Sequence, residues 1–293
     1  MNYTVSKRAK LLITAGMCAG LIACGSDDDD GVAVVNTDAT LNLAFTALDD
    51  LGPDFVYEGW LIVNGAPVST GRFTSNTSDV QSASVADVEA ATKYVLTIEP
   101  AVGDVPAPAD THVLAGDIVG EAATLTIADD AALATDFVNS TGSFIIAVPS
   151  APGESHTQGI WWLMPDGPAA GLNLPALPAG WAYEGWVAGP DGPISTGVFT
   201  DPAAADSDAG GPAAGPEPTP PFPGQDFITP PTVVTGMSAV ISVEPSPDNS
   251  PAPFGIKPLI DDVIEDVGAG NSQDMANVIA GNQPSGTLTI QMP

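Results

Sequence analysis

The stretch FVYEGWLIVNGAPVSTGRFT occupies Phe55 to Thr74, and WAYEGWVAGPDGPISTGVFT occupies Trp181 to Thr200. They align without a gap at an offset of 126 residues. Tyr57-Glu58-Gly59-Trp60 falls on Tyr183-Glu184-Gly185-Trp186, Ser69-Thr70-Gly71 on Ser195-Thr196-Gly197, and Phe73 on Phe199. The period inside each copy is two, which is that of a strand. It puts Tyr57, Gly59, Leu61 and Val63 on one face and Val56, Glu58, Trp60 and Ile62 on the other. Asn64-Gly65 and Asp191-Gly192 follow the apolar runs, and both pairs tolerate the positive φ of a hairpin turn. The pattern predicts a hairpin, present twice.

The match continues on both sides. Upstream, Leu41-Asn42-Leu43 is similar to Leu172-Asn173-Leu174. Downstream, Tyr94 to Pro100 (YVLTIEP) is similar to Ala239 to Pro245 (AVISVEP). Pro-Ala-Pro follows each at Pro106 and Pro251, and each copy is expected to close on Thr-Leu-Thr-Ile, at Thr124 to Ile127 and Thr287 to Ile290. A tandem duplication explains this conserved order. Pro100 cannot donate to a ladder and should end its strand. Glu99 and Glu244, just before those prolines, are placed to accept turn N–H groups.

Short β-branched segments parted by Gly and Pro turns predict an all-β chain of two tandem antiparallel β-sandwich domains with few short helices. The divisions read from the sequence are 1–23 as a signal peptide, 24–35 as an acidic tether, 36–139 as the first domain and 140–293 as the second. Residues 201–232, rich in Ala, Gly, Pro and Asp, are expected to form a long exposed loop. Leu259, Ile260, Val263, Ile264 and Val267 have helical spacing, and Asp274 to Ala280 could add another turn or two. Ile160-Trp161-Trp162-Leu163-Met164 reads as a strand buried on both faces, with an exposed partner-binding patch as the other possibility.

The N-terminus has a different character. Lys7, Arg8 and Lys10 precede an apolar run from Leu11 to Ile22, which ends in Leu21-Ile22-Ala23-Cys24. The run is too short to span a bilayer, which takes about 20 residues. It fits a lipoprotein signal in which cleavage precedes Cys24 and the thiol is acylated (diacylglycerol and palmitate). An acyl chain gains about 0.8 kcal/mol per buried methylene, so it anchors without spanning. Cys18 would leave with the leader, so the mature chain would offer no thiol chemistry. Gly25 follows Cys24, which in a Gram-negative cell favours the outer membrane. The Asp27 to Asp30 run reads as a solvated tether; a calcium loop is the other reading, but EF-hand spacing is absent.

The chain carries 6 basic and 36 acidic residues, a net −30. Only Arg72, Lys93 and Lys257 remain after the leader, so the mature chain carries three cations against 36 acids, or −33. A surface of that sign repels nucleic acid and excludes it as a partner. Hydrophobic residues make up 44% of the chain, enough for a core.

Tyr57, Trp60, Leu61, Pro67, Ser69, Gly71, Phe73, Thr97, Glu99, Pro100, Pro106 and Pro108 form a pattern that resembles the extracytoplasmic C-terminal domain of RskA-type anti-sigma-K factors. Tyr183, Trp186, Pro193, Ser195, Gly197, Phe199, Glu244, Pro245, Pro251 and Pro253 carry it again. The resemblance implies an envelope sensor or interaction module. Such proteins hold sigma factors through a cytoplasmic domain followed by a transmembrane helix; a lipidated Cys24 and a tether stand in their place here, so the inhibitory activity does not carry over.

No catalytic motif is evident: no Gly-x-Ser-x-Gly elbow, zinc-protease helix or phosphate loop. His112 and His156 have no matching positions between the copies and no metal-ligand spacing. No cofactor and no metal site is expected. Glu58 with Trp60, and Glu184 with Trp186, are the candidate binding residues. A carboxylate beside an aromatic on one strand face can contact a sugar or a cation; the plainer reading is a core Trp with a Glu tying a turn. The expected role is a non-enzymatic envelope module whose partner is a protein or a glycan. The alternatives are a carbohydrate-active protein and a calcium-dependent adhesive one.

Overall fold

The computed structural model describes residues 37–208, 210–247 and 250–293. The leader, Cys18, Cys24 and the acidic tether lie outside them. The first repeat contributes β1 (Asp38–Thr46), β2 (Phe55–Val63), β3 (Ala66–Phe73), β4 (Ser78–Ser84), helix α1 (Val85–Ala90), β5 (Ala91–Pro100), β6 (His112–Asp117) and β7 (Ala122–Thr126). Then come β8 (Thr141–Ile146), β9 (Gly159–Trp161), β10 (Leu163–Met164), β11 (Ala169–Ala170), β12 (Leu172–Asn173), β13 (Trp181–Gly189) and β14 (Gly192–Phe199). The chain finishes with β15 (Gly224–Asp226), β16 (Ser238–Pro245), β17 (Leu259–Asp261), β18 (Ser272–Asn277) and β19 (Ser285–Gln291).

The fold is nearly all-β, as its alternation and turn residues predict. β2 and β3 form the expected hairpin, with Asn64 at φ 52° and Gly65 at φ 82°, the type I′ conformation that matches strand twist. β13 and β14 form its counterpart, with Gly192 at φ 111°. β5 ends at Pro100. Helix α1 is six residues long and starts at Ser84, whose hydroxyl accepts the Asp87 N–H at 3.1 Å.

The strands pair in two antiparallel sheets. The first runs β3-β2-β5-β6-β7-β19-β1-β4 and the second β14-β13-β16-β17-β18-β8-β9-β15, with β12 also on β8. Sheet membership therefore departs from chain order at two places. β19, the last strand, lies between β1 and β7 of the first repeat. β8, which follows β7 in the chain, pairs with β18 and β12 of the second. These two strands are each other's counterparts: Gly142-Ser143-Phe144 matches Gly286-Thr287-Leu288, and each glycine faces an apolar partner, Met275 for Gly142 and Leu125 for Gly286. Each sheet is thus completed by the other repeat's closing strand. The two Thr-Leu-Thr-Ile segments are not equivalent ends, contrary to expectation. They pair with one another, Thr124 opposite Thr287, because both present the same alternation to one sheet.

The counterpart of β1 is broken in two. Leu41 and Asn42 pair with Ile290 and Thr289, as Ile160 and Trp161 pair with Ile146 and Ile145. Phe45 pairs with Gly286, as Leu172 pairs with Gly142. The counterpart of Leu172 in the first repeat is therefore Phe45, and the similarity of Leu41-Asn42-Leu43 to Leu172-Asn173-Leu174 is four residues out of register. Residues 163–170 make the difference, leaving the strand as the β10–β11 hairpin. A 2.9 Å hydrogen bond from Gly171 N to Trp162 O closes the neck of this excursion.

Three further expectations need correction. Leu259 to Asp261 is strand β17 and the rest of the Val263–Val267 stretch is not helical; Leu259 and Ile260 pair with Ile241 and Val240, and cross-strand pairing overrides helical spacing. Residues 274–280 hold the end of β18 and the start of a 3-10 turn, Ile279–Gly281. The described part of 201–232 folds back on the second sheet: Phe222, Gln225, Asp226 and Phe227 are buried, and β15 pairs with β9.

One continuous apolar core takes in the inner faces of both sheets, including Leu41, Tyr57, Leu61, Tyr94, Phe144, Trp162, Tyr183 and Ile241. Phe137, between β7 and β8, meets Tyr183 edge-on at 6.5 Å. Trp161 and Trp162 are both fully buried on opposite sides of the chain, Trp162 in the main core and Trp161 in a cluster with Ile145, Leu163 and Phe222.

Candidate functional site

The alternation of β2 and β5 sends two rows of side chains to the outer face of the first sheet. Glu58 lies opposite Thr97, Trp60 opposite Val95 and Ile62 opposite Lys93. Trp60, Val95, Ala115 and Ala132 form a small apolar cluster there, under the segment that follows β7. Lys93 holds that segment down: its Nζ lies 2.6 Å from Asp129 and 3.1 Å from Asp130. Burial alone would lower the lysine pKa, but the hydrogen bonds to Asp129, Asp117 and Asp130 outweigh it and raise the pKa above the usual value.

A hydrogen-bonded chain runs along the same face. The Trp60 indole N–H donates to Thr97 Oγ1 at 2.9 Å, and the Thr97 hydroxyl donates to Glu99 Oε1 at 2.5 Å. That oxygen also accepts the N–H of Ala109, just past Pro-Ala-Pro, at 2.8 Å. Glu99 therefore ties the loop between β5 and β6 to the sheet, the role its place before Pro100 predicts. Its other oxygen, Oε2, is buried and has no hydrogen-bond partner among the described residues. Burial pushes the Glu99 carboxyl above the ordinary value; Thr97 and Ala109 pull it down, and Asp104 and Glu58 push it further up. Glu58 accepts the Ser69 hydroxyl at 2.5 Å and pairs with Arg72 Nε at 3.6 Å.

The second repeat rebuilds the same chain. Trp186 Nε1 donates to Ser242 Oγ at 2.8 Å, Ser242 donates to Glu244, and Glu244 accepts the Phe254 N–H at 2.8 Å, again just past Pro-Ala-Pro. Ser195 donates to Glu184 as Ser69 does to Glu58. The four sequence-derived candidates are deeply placed, with Glu58 and Glu184 each 5% exposed, Trp60 3% and Trp186 2%. In each repeat the Trp is linked to the Glu that precedes proline, Glu99 or Glu244, and that link holds a loop onto the sheet, while Glu58 and Glu184 bind the serine of the neighbouring strand. The relay role of Thr97 and Ser242 between Trp and Glu escaped the sequence reading, although Thr97 belongs to the family pattern. Their signal was the i, i+2 row Lys93, Val95, Thr97, Glu99.

On the inner face the glycine of each Tyr-Glu-Gly-Trp makes room for a neighbour. A Cβ at Gly59 would lie 1.9 Å from the Tyr94 hydroxyl, and one at Gly185 would lie 2.5 Å from Trp162 Nε1. The neighbours have exchanged size: Tyr94 matches Ala239, and Trp162 occupies the place of Leu43. The Tyr94 hydroxyl donates to Gln81 at 3.0 Å; Gln81 also takes the Thr70 hydroxyl and donates to Gly71 O at 3.1 Å, bridging β4 to β3. Tyr57 and Tyr183 donate to Asp49 O at 2.8 Å and Pro175 O at 2.6 Å, eight residues upstream in both cases.

One feature belongs to the first repeat alone. Arg72 lies between Glu58 and Asp104 and donates to Pro100 O, whereas Val198 takes its place in the second repeat. Glu58, Trp60, Ser69, Arg72, Asp104 and Pro106 line a shallow depression of about 490 Å³ beside it. His112 Nδ1 contacts Ala131 O at 2.8 Å, and His156 pairs with Asp266 at 2.8 Å. Among the described residues no group of three or more His, Cys, Asp or Glu could hold a metal, and no helix is long and apolar enough to cross a membrane.

These features define a class: a nearly all-β protein of two repeats with reciprocally exchanged closing strands. Residues 8–113, under half of the chain, match the family model for the C-terminal part of the anti-sigma-K factor RskA. The matched stretch reaches Val113 in β6 and so contains β1 to β5, with Glu58, Trp60, Thr97 and Glu99. No curated protein and no solved structure gives a match.

Proposed function

We propose that the protein is a lipid-anchored envelope module of non-catalytic, signal-related function, held outside the cytoplasm by acylated Cys24. The match of residues 8–113 to the RskA C-terminal family carries this reading. It is supported by what the carboxylates do. Glu58, Glu99, Glu184 and Glu244 are all at most 5% exposed and engaged with hydroxyls and loop N–H groups, so each acts as a tie, including Glu58 where it borders the shallow depression beside Arg72. The partner is an envelope protein or a glycan. A net charge of −30 directs the choice away from nucleic acid and anionic headgroups. In a Gram-negative cell the anchor lies in the outer membrane.

The test has two parts. Metabolic labelling with a palmitate analogue should mark the wild type and not Cys24→Ala, and Cys24→Ala should leave the membrane fraction; continued membrane association of that variant refutes the anchor. Transcript profiles of a deletion strain, complemented by the wild type or by Cys24→Ala, test the signalling role. Restriction of the change to one sigma-factor regulon supports it, and an unchanged profile removes it.

A further inference from the structure

The reciprocal placement of β8 and β19 makes strand and slot separable parts. The slot between β1 and β7 is filled by a segment that arrives from more than 150 residues away in the chain. β19 fills it with Leu288 and Ile290, 1% and 2% exposed, and with Gly286, where a Cβ would crowd the Phe45 ring at 2.9 Å. The outward row, Thr287, Thr289 and Gln291, is exposed. The strand thus offers a complete ladder on both edges and one apolar face, and these hold its place. The covalent link is slight: Asn282, Gln283 and Pro284 alone separate the Ile279–Gly281 turn from β19.

We propose that two copies of this chain associate by trading β19, so that the slot between β1 and β7 of one copy takes the closing strand of the other. Trading keeps every pair of the ladder, from Thr40 with Gln291 to Thr126 with Ser285, and buries Leu288 and Ile290 again. The two forms therefore differ only in the hinge and in the entropy of association, the condition under which swapping an identical element is a low-cost route to a dimer. A short hinge also favours the exchange. The chain already makes this trade internally, between its repeats. Self-repulsion of a net −30 chain opposes association at low ionic strength, so salt should promote the exchanged form.

Thr124 and Thr287 are directly opposed and both exposed, which supplies the test. Two full-length chains, both with Cys18 and Cys24 replaced by alanine, carry Thr124→Cys and Thr287→Cys respectively, with different affinity tags. They are mixed, warmed towards the unfolding transition in moderate salt, cooled and oxidised. Because both thiols are exposed, Thr124→Cys mixed with Val102→Cys, a pair not opposed in any ladder, sets the yield of chance disulfides, and a 124–287 cross-link above that yield reports a traded strand. The expected result is a covalent heterodimer whose yield rises steeply over about a hundredfold range of protein concentration, as mass action requires. An excess of a synthetic peptide covering residues 284–293 should lower the yield by competing for the slot. No interchain cross-link at any concentration overturns the proposal. So does a sized dimer that lacks this cross-link, because it joins through another face. The pair Thr126→Cys and Ser285→Cys repeats the measurement at the other end of the ladder, in case the first pair alters folding.

Discussion

Glycine in the repeated Tyr-Glu-Gly-Trp is there for a neighbour's bulk, not for its own backbone. Gly59→Ala would drive a methyl into the Tyr94 hydroxyl and should cost about 1–3 kcal/mol, as core overpacking does. In a Tyr94→Phe background the cost of Gly59→Ala should shrink, a coupling that a double-mutant melting cycle measures. The indoles of the same motif are packed and hydrogen-bonded, so Trp60→Ala and Trp186→Ala should each lose about 3–5 kcal/mol in denaturant titrations. Near-wild-type midpoints would mean that the burial contributes little. Glu99 adds a pH dependence. Its carboxyl titrates above the unfolded value, so the native state takes up the proton first. Its burial cost is fully present above the folded pKa and is relieved as pH falls towards the unfolded one. Wild type should therefore gain stability relative to Glu99→Gln as pH drops into the carboxylate range. A constant difference across that range would argue against a raised Glu99. The loop-tying role of Glu99 was legible from its place before proline; the Thr97 relay was not, because the i, i+2 row gives the face of a hydroxyl and not the groups it will bridge.

At the scale of elements, the hairpins were legible and the long second-repeat insertions were not. Asn64-Gly65 encodes its turn locally, through positive φ that glycine adopts without strain and asparagine tolerates. Leu259 to Val267 has an apolar spacing that suits a helix, yet β16 and β18 offer open ladder edges on both sides of Leu259 and Ile260, and pairing prevails. The β10–β11 excursion could not be read at all, because its apolar Leu163-Met164 continues the strand pattern of Ile160-Trp161-Trp162. It is a detour closed at its neck, so removal of Leu163 to Ala170 should leave a folded chain with β9 running into β12. The expected loss is about 1.5–3 kcal/mol, the burial of one leucine. Loss of the β-rich circular dichroism spectrum would instead make the excursion integral to the second sheet.

Across the whole molecule, charge and topology act in opposite directions. The exchanged strands bind the N-terminal and C-terminal parts of the chain into one core, and residues 37–293 form a single compact unit. β19 crosses from the C-terminal end of the chain into the first sheet, while every strand of the second sheet lies between Thr141 and Asn277. The net charge of −30 works against compactness. The melting temperature should therefore rise with sodium chloride between about 10 mM and a few hundred mM, where the Debye length falls below about 10 Å. A melting temperature that is flat or falls with salt would show that surface repulsion is not a significant cost.

The sequence by itself determined the duplication, the strand character, the turns and the acidic surface. These are properties of neighbouring residues, and a period of two or an Asn-Gly pair has the same meaning wherever it lies. Only the tertiary structure decided which strand completes which sheet. β7, β8 and β19 carry nearly the same alternation of apolar and small polar residues, and alternation specifies a face without naming a partner. Packing sets β8 and β19 apart from β7, which has no glycine: Gly142 beneath Leu172 and Leu259, and Gly286 beneath Phe45, lie where a side chain would collide. Such collisions exist only once both repeats have met.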